Sequence, residues 1–419
     1  MSEVVLVYLS SIDRPHAART SRRALFLVSG NVFALGAVSL ITDVSSEMVT
    51  AVLPVYLMIG LHLSPAAYGV VDGTYTGATA VLRLVGGYVA DRARRRKVVA
   101  GLGYGLSAVA KLGLLAAGNA VGAIGAVIAI DRTGKGLRTA PRDALITLST
   151  PPPLYGRAFG VHRTMDTIGA FAGPLVALGI LTATAQAYDA VFVASFCIAA
   201  FGVLVLVLFV RDRRGEQPPK HTVAPSALLG LLRMAHVRRL VLAACLAGLV
   251  TIGDGFIYLL LQRREDLSIT WFPLLAVGTN LSYLLLAAPL GILADKIGRL
   301  KVVVGGYTAL MLVYLLLFGP IGGWPLLVVV LALYGVFYAS TDGVLMALAG
   351  PVLPEGLRTT GIALIQTGQA LSYVLSSVLF GLAWTVWGPA GASRIAAVLA
   401  AAVVLVVAVL LRGLTEQKA

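Results

Sequence analysis

Apolar residues occupy the chain in long blocks, and short stretches of charged or turn-forming residues separate one block from the next. We count twelve blocks of about 20 residues, the length that a helix needs to cross the hydrocarbon core of a bilayer. The blocks begin near residues 29, 66, 98, 120, 158 and 188, and then near 238, 270, 302, 325, 360 and 392. The sequence lacks the alternating ten-residue segments of membrane strands. The pattern predicts an all-α membrane protein with twelve transmembrane helices.

Lys and Arg are concentrated in every second connection between these blocks. Connections one, three, five and nine contain neither residue, whereas the even-numbered connections and both end segments are basic. Because short basic connections stay on the cytoplasmic side, we expect both termini in the cytoplasm. The predicted parts are a cytoplasmic tail at 1–24, a six-helix half at 25–210, a central cytoplasmic loop at 211–237, a six-helix half at 238–412 and a cytoplasmic tail at 413–419.

Composition supports a membrane protein. Hydrophobic residues make up 58% of the 419 residues and charged residues 12%, whereas soluble domains carry about 25% charged residues. The net charge of +14 lies mainly in short loops, so it indicates membrane topology and not nucleic-acid binding. No His, Cys or Met residues have the spacing of metal ligands, and no nucleophile lies beside a base. We therefore predict a lipid bilayer as the surroundings, and no nucleic acid, metal or cofactor.

One loop sequence occurs twice, after the second block and after the eighth. Each copy has a Gly, an Asp four residues later and then a basic cluster, from Gly87 to Lys97 and from Gly291 to Lys301. A repeat at equivalent places in two halves indicates a duplicated transporter body. The candidate gating residues are Gly87, Asp91 and Arg95 in the first copy, and Gly291, Asp295, Gly298 and Arg299 in the second.

These loops resemble the signature of the major facilitator superfamily, which reads Gly-x-Leu-Ala-Asp-Arg-x-Gly-Arg-Arg. Residues 291–299 match it closely, whereas the first copy has Arg94 in place of the second Gly. The stretch Arg132-x-x-Lys135-Gly resembles the span-four motif of the superfamily. The resemblance covers about residues 25 to 412. It implies two pseudo-symmetric six-helix halves around a central cavity, alternating access, and a role for Asp91 in holding the halves together.

The fifth block carries a second motif that resembles the superfamily's drug:proton exporters. The spacing Gly-x8-Gly-x3-Gly-Pro is formed by Gly160, Gly169, Gly173 and Pro174. The antiporter motif ends in Gly-Gly, where this chain has Ala177 and Leu178. The alternative interpretation is a packing face of small residues, because glycines allow helices in lipid to approach closely.

Charged residues inside the predicted spans are the candidates for chemistry. Six charges fall between Asp131 and Asp143, and a charge at membrane depth costs about 2.5–3.5 kcal/mol on insertion scales. Asp43 and Glu47 lie four residues apart on one helical face, and two carboxylates in a low dielectric favour binding a proton. We predict these two as proton-coupling residues. The alternative is that both are fixed partners of Arg132 or Lys135 in a structural network.

Other intramembrane polar residues are candidates for substrate contact. The predicted cavity residues are Arg132, Lys135, Asp254, Asp342 and Gln366. Asp254 and Asp342 lie in mid-span between or beside glycines, and either contact the substrate or serve as counter-charges in the second half.

Together these features predict a monomeric, proton-coupled secondary transporter that exports small organic molecules across a bacterial inner membrane. The proton gradient would be its energy source. An alternative is uptake or exchange of an organic anion, because Arg132 and Lys135, with Arg83 and Lys111, would make a cavity positive. A membrane-embedded enzyme or a receptor is a third class, and the duplicated halves argue against the enzyme.

Overall fold

A computed structural model describes residues 29–92, 96–151, 154–212, 230–341, 344–349, 352–354 and 357–415. Side chains are described at these positions except 80–92, 347, 358–359 and 413–415. Within this part of the chain, helices joined by short turns form the whole fold and strands are absent. The prediction of an all-α protein is therefore confirmed.

Six long helices precede the central connection. They are α1 Gly30–Val55, which continues as a π-helix at Tyr56–Gly60, α2 Pro65–Arg92, α3 Arg96–Ala117, α4 Val121–Leu148, α5 Tyr155–Ala183 and α6 Tyr188–Phe209.

The helices after the central connection are more often interrupted. They are α7 Ala235–Leu249, α8 Asp254–Arg264, a 3₁₀ turn at Ile269–Trp271, α9 Phe272–Ile297, α10 Arg299–Phe318, α11 Trp324–Thr341, α12 Val344–Ala349 and α13 Arg358–Thr415. The last helix is kinked at Gly388, where φ is 71° and Pro389 follows. Its 58 residues are too many for one crossing of a bilayer, and the kink divides them into two segments that are each long enough.

Nine helical stretches of the described chain are long and apolar enough to cross a membrane. The helices α2 and α4 contain 28 residues each, which is sufficient length, but they are more polar. A multi-pass membrane protein follows from these helices. The count of twelve spans and the cytoplasmic position of both ends stay predictions.

The described residues fall into two compact units. We call residues 29–56 and 81–212 the N-terminal unit, and residues 57–80 and 230–415 the C-terminal unit. The predicted halves at 25–210 and 238–412 stay predictions. Most of the predicted central loop, residues 213–229, lies outside the described residues.

Close backbone contacts organise the N-terminal unit. The helix α1 packs along α5 and α6, and α3 packs along α4 and α6. Gly134 of α4 faces α3 so closely that an added Cβ would lie 2.8 Å from the Ser107 amide nitrogen. A larger residue at this position would force the two helices apart. The contact brings the polar side chains of α3 within reach of those on α4.

The C-terminal unit contains a helix that is broken inside the membrane-spanning stretch. Between α7 and α8, Tyr314 of α10 donates a hydrogen bond to the Val250 carbonyl at 2.7 Å and accepts one from the Ile252 amide at 3.1 Å. Backbone groups freed by such a break need protein partners because lipid offers none. The buried Tyr314 hydroxyl therefore stabilises a break that places Asp254 at the first turn of α8.

Candidate functional site

The charged helix α4 carries an ion-pair cluster around Asp131. The Lys111 ammonium of α3 lies 3.4 Å from the Asp131 carboxylate, and the Ser107 hydroxyl donates to it at 2.5 Å. The neighbouring Arg132 guanidinium also donates to Asp131, with its Nε at 3.0 Å. Lys111 and Arg132 are 4% and 3% exposed. The structure thus places Arg132, a predicted cavity residue, in an ion pair with the adjacent residue.

A second cluster joins α4 to α1 through Asp43. The Arg138 guanidinium lies 3.4 Å from the Asp43 carboxylate, and its charged carbon lies 4.5 Å from the centre of the Tyr104 ring. Arg138 is 3% exposed, so the ion pair and the cation–π contact are both sheltered from water. Arg138 was not among the predicted site residues. Its spacing from Lys135 and Asp131, three and seven residues, is a helical-face signal that could have identified it.

Asp166 of α5 completes this cluster. It accepts hydrogen bonds from the Ser39 hydroxyl at 2.7 Å and from Arg163 at 3.0 Å. The carboxyl groups of Asp166 and Asp43 also lie within hydrogen-bonding reach of each other. A hydrogen bond between two carboxyl groups forms only when one of them carries a proton, because a carboxylate is an acceptor alone. No sequence pattern pairs these two residues, which are 123 positions apart.

Glu47, the other predicted proton residue, lies one turn beyond Asp43 on α1 and is partly exposed. Lys135 lies within electrostatic range of both acids. The structure therefore brings three of the predicted residues, Asp43, Glu47 and Lys135, to one region of the N-terminal unit. It joins the Asp43 carboxyl to Asp166 and Arg138.

Two of the motif glycines on α5 hold this helix against α1. A Cβ added at Gly173 would lie 2.8 Å from the Val44 carbonyl oxygen and 3.0 Å from the Met48 amide nitrogen. Gly169 lies directly against the Leu40 carbonyl, whereas Gly160 has open space around it. Pro174 is buried in the same helix. The close contacts flank the stretch of α1 that carries Asp43 and Glu47.

The candidate gating loops are described in part. In the second copy, Gly298 has φ of 100° and forms the turn between α9 and α10, a conformation that favours glycine. Arg299 lies 3.6 Å from Asp295 in an exposed pair, and Gly291 has open space around it. Gly87 and Asp91 lie in α2, but Arg95 and the Asp91 side chain lie outside the described part of the structure. The gating role of both loops stays a prediction.

The C-terminal unit contains a different kind of acidic cluster. Asp254 accepts hydrogen bonds from the Tyr334 hydroxyl at 2.5 Å and from the Tyr338 hydroxyl. Asp72 of α2 accepts hydrogen bonds from the Ser377 hydroxyl and from the Tyr373 hydroxyl at 3.3 Å. Both Asp residues are partly exposed.

The two carboxylates of this cluster lie close together at the break before α8. The Asp72 carboxyl group rests on Gly253, where an added Cβ would lie 2.8 Å from the carboxyl carbon. Gly253 immediately precedes Asp254 in the chain. Of the other predicted cavity residues, Gln366 lies on α13 two turns before Tyr373, and Asp342 lies outside the described residues.

The sequence model of the Major Facilitator Superfamily matches residues 35–282 and 266–419. The chain belongs to the Major Facilitator Superfamily. An MFS-type transporter of Methanocaldococcus jannaschii is 30% identical over 369 residues, which cover 86% of this chain and 89% of that relative.

Solved structures of the superfamily share its fold. A mutant of the nucleoside transporter NupG has a TM-score of 0.79 at 14% sequence identity, covering 91% of this chain and 99% of that chain. A POT family transporter in complex with 5-aminolevulinic acid has a TM-score of 0.73 at 14% identity, covering 90% and 95%. The major facilitator fold is therefore established, and the chain is a membrane transporter and not an enzyme.

Proposed function

We propose that this major facilitator protein is a proton-coupled secondary transporter of a small organic solute. The single observation that carries the proposal is the carboxyl–carboxyl contact between Asp43 of α1 and Asp166 of α5. Such a contact holds one proton, and it lies inside the membrane-spanning part of the N-terminal unit. The proposed setting is a bacterial cytoplasmic membrane, with twelve spans, cytoplasmic termini and a monomer as the working form.

The charges around the pair provide a way to couple the proton to a change of shape. With one proton, the pair carries a single negative charge, which Arg138 at 3.4 Å and Arg163 at 3.0 Å offset. Without it, two negative charges lie in contact and repel each other. The contact joins α1 to α5, so loss of the proton favours an arrangement in which these helices move apart. Glu47 lies one helical turn from Asp43 on α1, and Lys135 of α4 lies within electrostatic range of both acids. The proton can therefore move from the carboxyl pair to Glu47.

The form of transport that we propose is exchange of the solute for protons, with the solute leaving the cell. The glycines of the α5 motif support the exchange because Gly169 and Gly173 keep α5 on the acidic stretch of α1. Uptake of the solute with a proton is a second candidate that uses the same carboxyl pair. The fold shared with a nucleoside transporter and a POT family transporter favours this candidate as well as export.

An organic anion is a less favoured solute than the sequence alone suggests. Two of the basic residues that would make a cavity positive, Arg132 and Lys111, are in ion pairs with Asp131. Their charges are therefore largely offset, and Lys135 faces the acids Asp43 and Glu47.

Purified protein in proteoliposomes with an imposed pH gradient tests the proposal. Asp166→Asn and Asp43→Asn should each abolish gradient-driven flux across a panel of cationic, neutral and anionic solutes. Both should retain exchange of labelled for unlabelled solute, which needs no net proton movement. Asp266→Asn is the matched control because Asp266 lies in a turn with φ of 47°, a conformation that Asn tolerates. Full gradient-driven flux in both carboxyl variants would refute the proposal, and the sign of the active gradient distinguishes export from uptake.

A further inference from the structure

The C-terminal unit contains a cluster that the proposed proton coupling does not use. We call it the acid–hydroxyl cluster and define it by Asp72, Asp254, Tyr334, Tyr338, Tyr373 and Ser377. The four hydroxyl groups all donate to the two carboxylates. The cluster draws on α2, α8, α11 and α13, so it lies where four helices of this unit meet.

The acid–hydroxyl cluster lacks a positive charge. Within the described ranges, no Lys or Arg makes an ion pair with either carboxylate, and Asp72 and Asp254 are near enough to repel each other. Two like charges at membrane depth are unfavourable unless a counter-charge or a proton reaches them. Asp72 and Asp254 are partly exposed as residues, so a counter-charge can approach them from outside the protein.

Two buried hydroxyl groups beside the cluster have no hydrogen-bond partner among the described residues. The Tyr307 hydroxyl is directed toward the side chains of Thr251 and Gln369 without bonding geometry to either, and Tyr307 is 2% exposed. Gln369 lies one turn before Tyr373 on α13. An unsatisfied buried hydroxyl is unfavourable, so Tyr307 can gain stabilisation from a polar group of a ligand.

The second unsatisfied hydroxyl belongs to Thr279, which is also 2% exposed. It lies beside the hydroxyl of Tyr258, whose ring packs edge-on against Tyr334 at 6.4 Å between centroids. The Thr279 and Tyr307 hydroxyl groups therefore add hydrogen-bonding capacity near the cluster.

The broken span adds a favourable potential for a cation. The helix α7 ends at the break, and the C-terminal end of a helix carries a partial negative charge. Broken membrane helices place such ends at substrate and ion sites in transporters. Asp254 itself lies in the first turn of α8, whose partial positive charge partly offsets its carboxylate, so the negative potential at the break comes mainly from Asp72 and the end of α7.

We propose that the acid–hydroxyl cluster binds the protonated amine of the transported solute. An ammonium group donates up to three hydrogen bonds, which suits two carboxylates and the surrounding tyrosine oxygens. The remainder of the solute can then satisfy the Tyr307 hydroxyl. This inference rests on the proposed transport of a small organic solute and adds that the solute is an amine.

Binding to the purified full-length protein in detergent, without a pH gradient, tests the inference. The probes are phenethylamine, tryptamine and spermidine at fixed NaCl, with 2-phenylethanol as the neutral match for phenethylamine. We expect saturable stabilisation by at least one amine and none by the alcohol. Asp254→Asn and Asp72→Asn should each weaken that amine at least tenfold. Asp266→Asn should bind as wild type.

A smaller change keeps the test valid if an Asp variant fails to fold. Tyr338→Phe removes one hydroxyl and keeps the ring, and it should weaken amine binding several-fold. Equal binding of alcohol and amine, unchanged amine affinity in the Asp variants, or stabilisation by Na⁺ in place of all three amines would overturn the inference. The Asp43→Asn and Asp166→Asn variants should keep amine binding, so failure of this inference is distinguishable from failure of proton coupling.

Discussion

The acids of the two units differ in the partners that surround them. Four acidic residues of the N-terminal unit form ion pairs with Arg or Lys, namely Asp43, Asp131, Asp143 and Asp166. In the part of the chain that the structure describes, the side-chain partners of the two carboxylates in the acid–hydroxyl cluster are hydroxyl groups and not Lys or Arg. A compensated network can keep its charges through a transport cycle and respond to one proton. An uncompensated cluster needs a cation from outside. On our proposals, the first arrangement carries the coupling proton and the second binds the solute.

The largest expected effect follows from removing a compensating acid. Asp131→Asn removes the carboxylate that Lys111 and Arg132 both contact, and both cations are buried. Breaking a buried pair from one side costs about 3–5 kcal/mol, so the variant should unfold at much lower temperature or yield little monodisperse protein. In the same unfolding assay, Asp254→Asn should be as stable as wild type or more stable, because it removes an uncompensated charge. Equal stability of Asp131→Asn and wild type would contradict the comparison.

The second largest effect should come from disturbing the close contact between α1 and α5 beside the Asp43–Asp166 pair. Gly169→Ala would place a methyl group against the Leu40 carbonyl and cost about 1–3 kcal/mol, because the backbone must shift. The shift also separates α1 from α5, so gradient-driven flux should fall with stability. Gly160→Ala is the matched control, since open space surrounds Gly160. The two variants should be compared by thermal unfolding and by flux. Equal stability and equal flux in Gly169→Ala and Gly160→Ala would contradict the close contact between Gly169 and α1.

The break before α8 offers a pair of tyrosines for a third test. Tyr314→Phe leaves the Val250 carbonyl and the Ile252 amide without their partner, which should cost about 1–3 kcal/mol. Tyr307→Phe removes a hydroxyl that has no partner, so the apo protein should lose no stability. Amine binding should weaken in both variants. If Tyr307→Phe binds amines with wild-type affinity, the Tyr307 hydroxyl does not contribute to amine binding.

The smallest expected effect concerns the repeated loops. The Asp295–Arg299 pair is exposed, so it is worth at most about 1 kcal/mol, and Asp295→Asn should shift a balanced conformational equilibrium by roughly fivefold or less. Cysteine labelling of the cavity from each side measures this ratio, and Asp91→Asn is the companion variant. If both variants keep the wild-type labelling ratio, the loops have no gating role and their basic residues serve only to orient the protein in the membrane.

The sequence was sufficient for features that depend on nearby residues. Long apolar blocks predicted the helices, and the spacing from Asp131 to Asp143 predicted a charged helix, which is α4. The second loop copy keeps the second glycine of the family signature, Gly298, and this residue has the positive φ that a tight turn requires. These features follow from helix length and backbone conformation, which a single sequence carries.

The sequence could not supply the partners of the charged residues. Asp43 and Glu47 share a helical face, but the residues that approach from other helices decide what each acid contacts, and Asp166 is 123 positions from Asp43. The charged residue nearest to Asp72 in the sequence is Arg83, eleven positions away. The structure brings Asp72 to Gly253 and Tyr373, which no local pattern connects to it.

The proton on the Asp43–Asp166 pair can be observed directly by infrared difference spectroscopy of the carboxyl C=O stretch in reconstituted protein. Stepping the pH across the physiological range in wild-type protein should give a band for one hydrogen-bonded, protonated carboxyl group. We predict that the band is lost in both Asp43→Asn and Asp166→Asn and is retained in Asp72→Asn and Asp254→Asn. A band that persists in both N-terminal variants and disappears in either C-terminal variant would place the proton in the acid–hydroxyl cluster and contradict the assignment of the two units.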